Sequence, residues 1–486
     1  MITLSSPSGA VLQWLSARNR TFRRLSSILD FLRVRNGVTQ MVNSVRNHYS
    51  NYKIKTLIVI LFVAVSIMQT LPSLAQSLSF DEQVEQILAN HPRMEAAKQT
   101  VKSLEEGLRV SQKSWFPSLT VTGNRAKEDR NNVSGTDDVN IKSDELKLTL
   151  TQPIYHFGSK SAATQIARLS LAQAEKTLEL TRQSLILEIG VAQMGVATAI
   201  EKLRYAKRSL ANLQKQTKLE GIRVKSGAGV STDVLQAKVQ LAGAKARLVA
   251  AEGQLNTQEN RYLAVFGELQ NEFLKSRKLR LPAEDLPEDV EEALEIARKN
   301  NLQLQTLADA VSLSKASLSQ IKADQIWPKI DFTVDKSFKE NVGGTRGKAQ
   351  EYVAKLQFTY NFNLGFSAVN NIGAARANYI AAQKQLDDAR RLIDEAVRNA
   401  FVAYKQALQN AILLREQADL SKAFLELARK ERKLGKRSLL EILSGETAEI
   451  NSRSDSAEAD GARVSSALAL LSAMGVLMPK HLALES

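Results

Sequence analysis

The stretch Trp115-Phe116-Pro117-Ser118-Leu119-Thr120-Val121 returns later in the chain as Trp327-Pro328-Lys329-Ile330-Asp331-Phe332-Thr333-Val334. Other matches follow in the same order: Phe157-Gly158 with Leu364-Gly365, Gly227 with Gly435, Ser231-Thr232-Asp233-Val234-Leu235 with Ser438-Leu439-Leu440-Glu441-Ile442-Leu443, and Ala264-Val265-Phe266-Gly267 with Ala473-Met474-Gly475. A near-constant spacing of about two hundred residues between matches marks an internal two-fold repeat. The first repeat covers residues 77–267 and the second 290–477, with a linker at 268–289 and a tail at 478–486.

Each repeat reads alike: a helix (81–113 and 290–325), a Trp/Pro break, two strands joined by a polar loop, a very long helix, a glycine-containing turn and a returning helix. In the strands, Leu119 and Val121 alternate with Thr120 and Thr122, and Leu146, Leu148 and Leu150 with Lys147, Thr149 and Thr151. In the second repeat Ile330, Phe332 and Val334 alternate with Asp331, Thr333 and Asp335, and Leu356, Phe358 and Tyr360 with Lys355, Gln357 and Thr359. A period of two places all apolar side chains on one face. A membrane barrel, apolar outside and polar inside, and a half-buried soluble sheet both produce this pattern.

The long helices are expected over 159–224 and 368–434, the first without proline. At 1.5 Å per residue each reaches roughly 100 Å. In the second, Ala382, Leu386, Ala389, Ile393, Ala396, Ala400, Ala403 and Ala407 recur at steps of four and three, a coiled-coil seam rich in alanine.

Composition narrows the function. The chain has no cysteine and four histidines, which excludes disulfides and thiolate sites and disfavours a metal enzyme. No nucleotide-binding loop, metalloprotease motif or nucleophile elbow is present. No catalytic residue, metal site or cofactor is therefore expected. Of the net charge of +15, residues 1–75 supply +8, so the basic balance is largely that of a leader and does not argue for nucleic acid. Within it, Lys53 and Lys55 precede a short apolar run and the Ser73-x-Ala75 end of a secretory signal peptide, with cleavage expected after Ala75. Met41 is an alternative start to Met1.

Four strands cannot close in lipid without leaving backbone groups unpaired at both edges, so the chain must share a barrel with copies of itself. A periplasmic coiled-coil adaptor or scaffold would account for the helices but not for the duplicated strands. A surface adhesin stalk would carry one terminal anchor instead of two internal strand pairs.

The ordered set formed by the duplication, the segment Gln152-Pro153-Ile154-Tyr155-His156-Phe157-Gly158 and the two tips resembles the TolC-type outer-membrane channels over roughly residues 77–477. The second half departs at Asn361-Phe362-Asn363-Leu364-Gly365, which lacks the proline.

The resemblance implies an α+β membrane protein of the Gram-negative outer membrane. A homotrimer would form a shared twelve-stranded transmembrane β-barrel above a periplasmic α-barrel. It would work with a periplasmic adaptor and an inner-membrane pump of ABC, RND or MFS type, in type I protein secretion or small-molecule efflux.

The resemblance also implies roles for particular residues. Glu441 would form a carboxylate ring at the pore constriction, with the uncharged Ser444 where a second acid is usual. Arg437 would latch the closed state through Thr232 and Asp233. Gly227, Gly229, Val230, Ser231, Gly435, Ser438 and Leu439 would meet the adaptor. Trp115, Pro117, Pro153, Gly158, Trp327, Pro328 and Gly365 stand where strands meet helices, the tryptophans either as membrane-interface anchors or as packing at a barrel–tunnel junction.

Overall fold

The computed structural model describes residues 79–130, 139–227, 230–267, 275 and 277–485. The leader, its cleavage after Ala75, both candidate starts and Gly229 lie outside the described residues.

The elements run in chain order as α1 (Phe80–Asn90), α2 (Pro92–Lys113), β1 (Ser118–Arg130), β2 (Val139–Tyr155), α3 (Ser159–Lys225), α4 (Ser231–Phe266), α5 (Val290–Asn300), α6 (Leu302–Ile326), β3 (Lys329–Glu340), β4 (Lys348–Thr359), α7 (Ser367–Lys433) and α8 (Leu439–Met474). The halves carry elements of the same kind in the same order. The long helices have 67 residues each and the return helices 36 each.

The first helix of each half is broken where one continuous helix was expected. At His91-Pro92 the proline has no N–H to donate, and it drives His91 to an extended ψ of 134°. The His91 imidazole Nδ1 then caps α2 by accepting from Arg93 N–H at 3.2 Å. In the second half Asn301 takes a ψ of 113° and accepts from the N–H groups of Gln303 and Leu304. An asparagine that serves two free amides at once favours a new helix start over continuation.

α3 and α4 form one antiparallel hairpin, and α7 and α8 a second. α2 extends along the other half of α3, and α6 lies against both α3 and α7. The largest core lies part-way along the bundle, where Leu185, Ile186 and Ile189 of α3 meet Leu468 and Leu471 of α8. The apolar window of α3 that is long enough to cross a bilayer is two-thirds buried here, at 67 %.

One expectation is corrected in this region, and one contact is new. The tail is held in place over residues 478–485, a contact that the sequence did not suggest: Leu279 and Leu484 form an antiparallel bridge, Arg280 N–H donates to Ala483 O at 2.7 Å, and Leu482 is fully buried. Residues 277–286 and 478–485 thus form one strap over the bundle core. The buried seam of α7 runs through Ile393, Val397, Tyr404, Ala411, Ala418 and Leu425, while Ala396 and Ala403 are exposed. The observed seam keeps the seven-residue spacing of a coiled coil from Val397 to Leu425 but lies one residue away from the expected alanines at 396 and 403. The larger Val397 and Tyr404 hold the seam in place of the neighbouring alanines.

Gly475 ends α8 at a φ of 77°, and a Cβ there would lie 2.8 Å from Asn301 Cα and 2.9 Å from Asn300 O. Both the left-handed backbone and the close approach to α5–α6 require glycine.

The strap contains a pH-dependent contact. His481 is buried; its Nδ1 accepts from Met478 N–H at 3.0 Å, which leaves Nε2–H to face Asp285 Oδ2 at 3.2 Å. Only the neutral ring satisfies both contacts. Burial, partly opposed by the Asp285 carboxylate, pushes the imidazole below its usual value of 6.5. A histidine with a depressed folded pKa binds fewer protons than in the unfolded chain, so stability falls as pH drops below about 6.5 and levels off below the folded value. Melting temperature measured from pH 7.5 to 5 should decline over that window. His481→Gln should flatten this part of the profile, and an unchanged slope would remove His481 from the account.

Candidate functional site

Two regions carry the candidate function: the sheet and the tips of the two helical hairpins. The sheet order is β1-β2-β3-β4, all antiparallel. Register places Leu119, Leu150, Val334 and Ala354 in one row and Val121, Leu148, Lys336 and Tyr352 in the next. These rows belong to the apolar face, which no element among the described residues covers: Leu356 is 68 % and Phe358 66 % exposed. On the opposite face Thr333 is 6 % and Ser337 5 % exposed. There Asp335 accepts from Thr149 Oγ1 at 2.7 Å and lies 3.6 and 3.7 Å from the ammonium groups of Lys147 and Lys355, while Lys339 pairs with Glu351 at 2.6 Å.

A water-soluble sheet buries its apolar face and exposes its polar one. This sheet does the reverse, with a sheltered polar face and open apolar face, as a wall between lipid and an aqueous lumen requires. Lys336 stands within the apolar rows, its ammonium 5.2 Å from the centroid of the Phe338 ring. Exposed aromatic rings gather where the sheet meets the helices: Phe116, Tyr155, Trp327, Tyr360, Phe362 and Phe366. Such rings suit a membrane–water boundary.

The junction residues are held by short-range chemistry. Trp327 stacks on Phe157 with centroids 5.1 Å apart, and Phe157 meets Tyr155 edge-on at 4.6 Å. Trp115 contributes its carbonyl, which accepts from Gln152 Nε2 at 2.9 Å. Pro153 sits in a register irregularity of β2, and Pro117 and Pro328 directly precede β1 and β3. His156 Nε2 lies 2.8 Å from Asp331 Oδ1, and Ser159 Oγ donates to Asp324 Oδ1 at 2.9 Å; sequence reading missed both contacts. They join the start of α3 to the far half of the chain, a proximity that no local pattern encodes.

The glycine match across the junction is corrected by one position. Gly158 caps α3 at a φ of 90°, but the residue that caps α7 in the left-handed region is Phe366, at 53°, and not Gly365. Phe157, directly before Gly158, shares the left-handed conformation at a φ of 48°, so each half holds one phenylalanine there against its Cβ strain.

At the tips, Gly227 and Gly435 take φ values of 75° and 76°. Val230, Ser231, Thr232 and Ser438 are exposed and Asp233 is half-buried. Leu439 is not part of an exposed surface as expected: it is 2 % exposed and packs with Leu443 against Leu213 of α3 and Ala237 and Ala244 of α4. Ser438 caps α8 by accepting from Glu441 N–H at 3.3 Å, which fixes the helix start and turns Leu439 inward. Glu441 and Ser444, one turn apart, are both exposed, Glu441 by 50 % of its side chain.

Arg437 is engaged within its own hairpin. Its Nε donates to Glu431 Oε2 at 2.7 Å, its Nη1 lies 3.6 Å from Glu441, and its guanidinium rests 5.4 Å from the Phe424 ring centroid. The hydrogen bond to Glu431 raises the guanidinium above its already high value. Among the described residues no bond joins Arg437 to Thr232 or Asp233, so a single chain does not bring the expected latch together. The shortest tie between the two hairpins near their tips, beside a 3.3 Å contact of Thr447 with Gln240, is one the sequence did not suggest. Arg432 Nη2 of α7 donates to Glu220 Oε1 of α3 at 2.6 Å, with the Glu220 side chain 6 % exposed. Among the described residues no cluster of histidine and carboxylate side chains could hold a metal ion.

An uncovered apolar sheet face, a sheltered polar one and helices of about 100 Å rising from the same sheet define a channel subunit of an outer membrane. The family model of the outer membrane efflux proteins matches residues 84–268 and 293–476, and the chain belongs to that family, the TolC-type channels. It is 22 % identical to outer membrane protein TolC of Escherichia coli K12 over 423 residues, 84 % of this chain and 85 % of that one. Among solved structures, the outer-membrane channel OprN superposes with a TM-score of 0.71 at 21 % identity, covering 81 % of this chain and 89 % of that one. The CmeC outer membrane channel of Campylobacter jejuni gives 0.70 at 15 % identity, covering 81 % and 86 %. The protein is an outer-membrane channel component.

Proposed function

We propose that three copies of the chain close one twelve-stranded barrel and continue it as a helical tunnel, through which substrates leave the cell with the help of a periplasmic adaptor and an inner-membrane pump. The observation that carries this reading is the inside-out sheet with two open edges. β1 and β4 have 13 and 12 residues, and unpaired edges of that length in lipid are satisfied only by another copy. Exposed Leu392, Val402, Ile412, Leu413 and Leu420 along α7 supply apolar surface for neighbouring helices. The equal helix lengths of the two halves support an internal duplication, which lets each chain furnish two similar segments of one wall. Three copies would also place Val230, Ser231 and Ser438 around the end of the tunnel, where an adaptor docks.

In this assembly Glu441 lines the constriction. Three carboxylates around one axis attract cations and hold multivalent ones, and Ser444 adds a neutral ring one turn further on. Arg437 sits against Glu441, so the resting charge of the ring is partly compensated by the residue proposed to latch the tips.

The test is single-channel conductance of the purified protein in a planar bilayer, alongside its native mass in detergent. A mass of three chains and small cation-selective steps are expected. Glu441→Ala should move selectivity towards unity and remove block by multivalent cations. A different stoichiometry would end the trimer. Unchanged selectivity and block in the variant would discard Glu441 as the filter.

A further inference from the structure

Between α3, α4 and α8 lies a cavity of about 220 Å³. It is lined among others by Lys202, Arg247, Gln254, Asn451 and Ser454. Arg247 is the anomaly: its Nε and Nη2 are buried and have no hydrogen-bond partner among the described residues. These two nitrogens form one edge of the guanidinium, the two-donor fork that matches a carboxylate or phosphate. The third nitrogen, Nη1, is turned the other way and packs over Gly243 of the same helix. Arg247 as a whole is half-buried, but donors closed off from water without a partner are costly, and an open fork in a polar cavity points to an anion that fills it.

The lining agrees with this. No carboxylate lines the cavity. Lys202 brings a second positive charge, although it is shared with Glu458 at 2.8 Å. Asn451, Ser454 and Gln254 offer neutral donors. At about 30 Å³ per water, the space holds roughly seven water volumes, enough for a small oxyanion with part of its hydration shell.

We propose that this cavity is a binding site for a free small oxyanion of the phosphate class, gripped by the Nε–Nη2 edge of Arg247. Bound there, the anion would tie α4 to α8 and so brace one helical hairpin against the other.

The experiment is thermal unfolding of the full-length oligomer with increasing inorganic phosphate at fixed ionic strength, chloride serving as the balancing salt. A saturable rise of roughly 2 °C is expected for the native protein. Arg247→Met should abolish the rise, and should be no less stable than the native protein without phosphate, because it removes two buried donors that have no partner. Arg247→Lys keeps the charge but loses the two-donor edge; it should bind phosphate at least tenfold more weakly and serves if the methionine variant does not fold. An equal rise in all three proteins would overturn the site. So would an absent phosphate response in the native protein together with a less stable oligomer in Arg247→Met, since that pair of results assigns the fork to a carboxylate of a neighbouring copy.

Discussion

Leu356→Arg should destabilise the assembled protein by about 2–4 kcal/mol per chain, although Leu356 is among the more exposed residues of the sheet. On a water-soluble protein an exposed leucine replaced by arginine changes stability by roughly 0.5 kcal/mol or less. The expectation here is larger because the exposed face meets hydrocarbon, where a charge is expensive. The neighbouring position on the same strand gives the control. Lys355 lies on the polar face beside Asp335, and Lys355→Arg should be close to neutral. Leu356 pairs in register with Phe332, in the apolar rows nearer the helices than Lys336, so an arginine there has farther to reach to the loop-end surface than Lys336 does. The measurement is the heat- or denaturant-induced loss of the folded oligomer in lipid or detergent, together with its yield in the outer membrane. If Leu356→Arg and Lys355→Arg behaved alike, the lipid-facing assignment of the sheet would fail.

Arg432→Met should cost about 2–4 kcal/mol, concentrated at the tips. It removes the short contact to a Glu220 carboxylate that is buried between α3 and α7. The partner that remains, Arg223, is 3.6 Å away and largely exposed. A buried charge deprived of its partner is penalised far more than the pair as a whole contributes, typically about 3–5 kcal/mol when no substitute is near. Glu220→Gln combined with Arg432→Met should therefore recover much of the loss, and a double-mutant cycle measures the coupling directly. In a planar bilayer the single variant should open to larger steps than the native protein, because the first hairpin no longer holds the second. Native conductance together with native stability would show the bond to be a surface contact of little weight.

These two expectations rest on different links between sequence and structure. The alternation of Leu146, Leu148 and Leu150 with Lys147, Thr149 and Thr151 is a local property of an extended chain, and it was legible at once. The bounds of the long helices were legible to within a residue or two, because Gly158 and the tip glycines Gly227 and Gly435 are local signals and few breakers interrupt the runs. The breaks at His91-Pro92 and Asn301 were legible in principle, through a proline and a capping asparagine, but the surrounding helical pattern masked them. The tip network was not legible. Glu220 and Arg432 are more than two hundred residues apart, and each looks in isolation like an ordinary charged residue on a helix.

By itself, the sequence determined the order of strands, long helices and return helices, the two faces of the strands and the family, because each depends on periodicity or on short motifs that repeat along the chain. The tertiary structure decided which face of the sheet is covered, which residues of α7 form the buried seam, that Leu439 turns inward, and that Arg437 pairs with Glu431 and Glu441. The physical reason is common to all four. A residue's pattern fixes the direction in which it points relative to its neighbours, but its burial and its partners depend on whether a distant part of the chain arrives on that side.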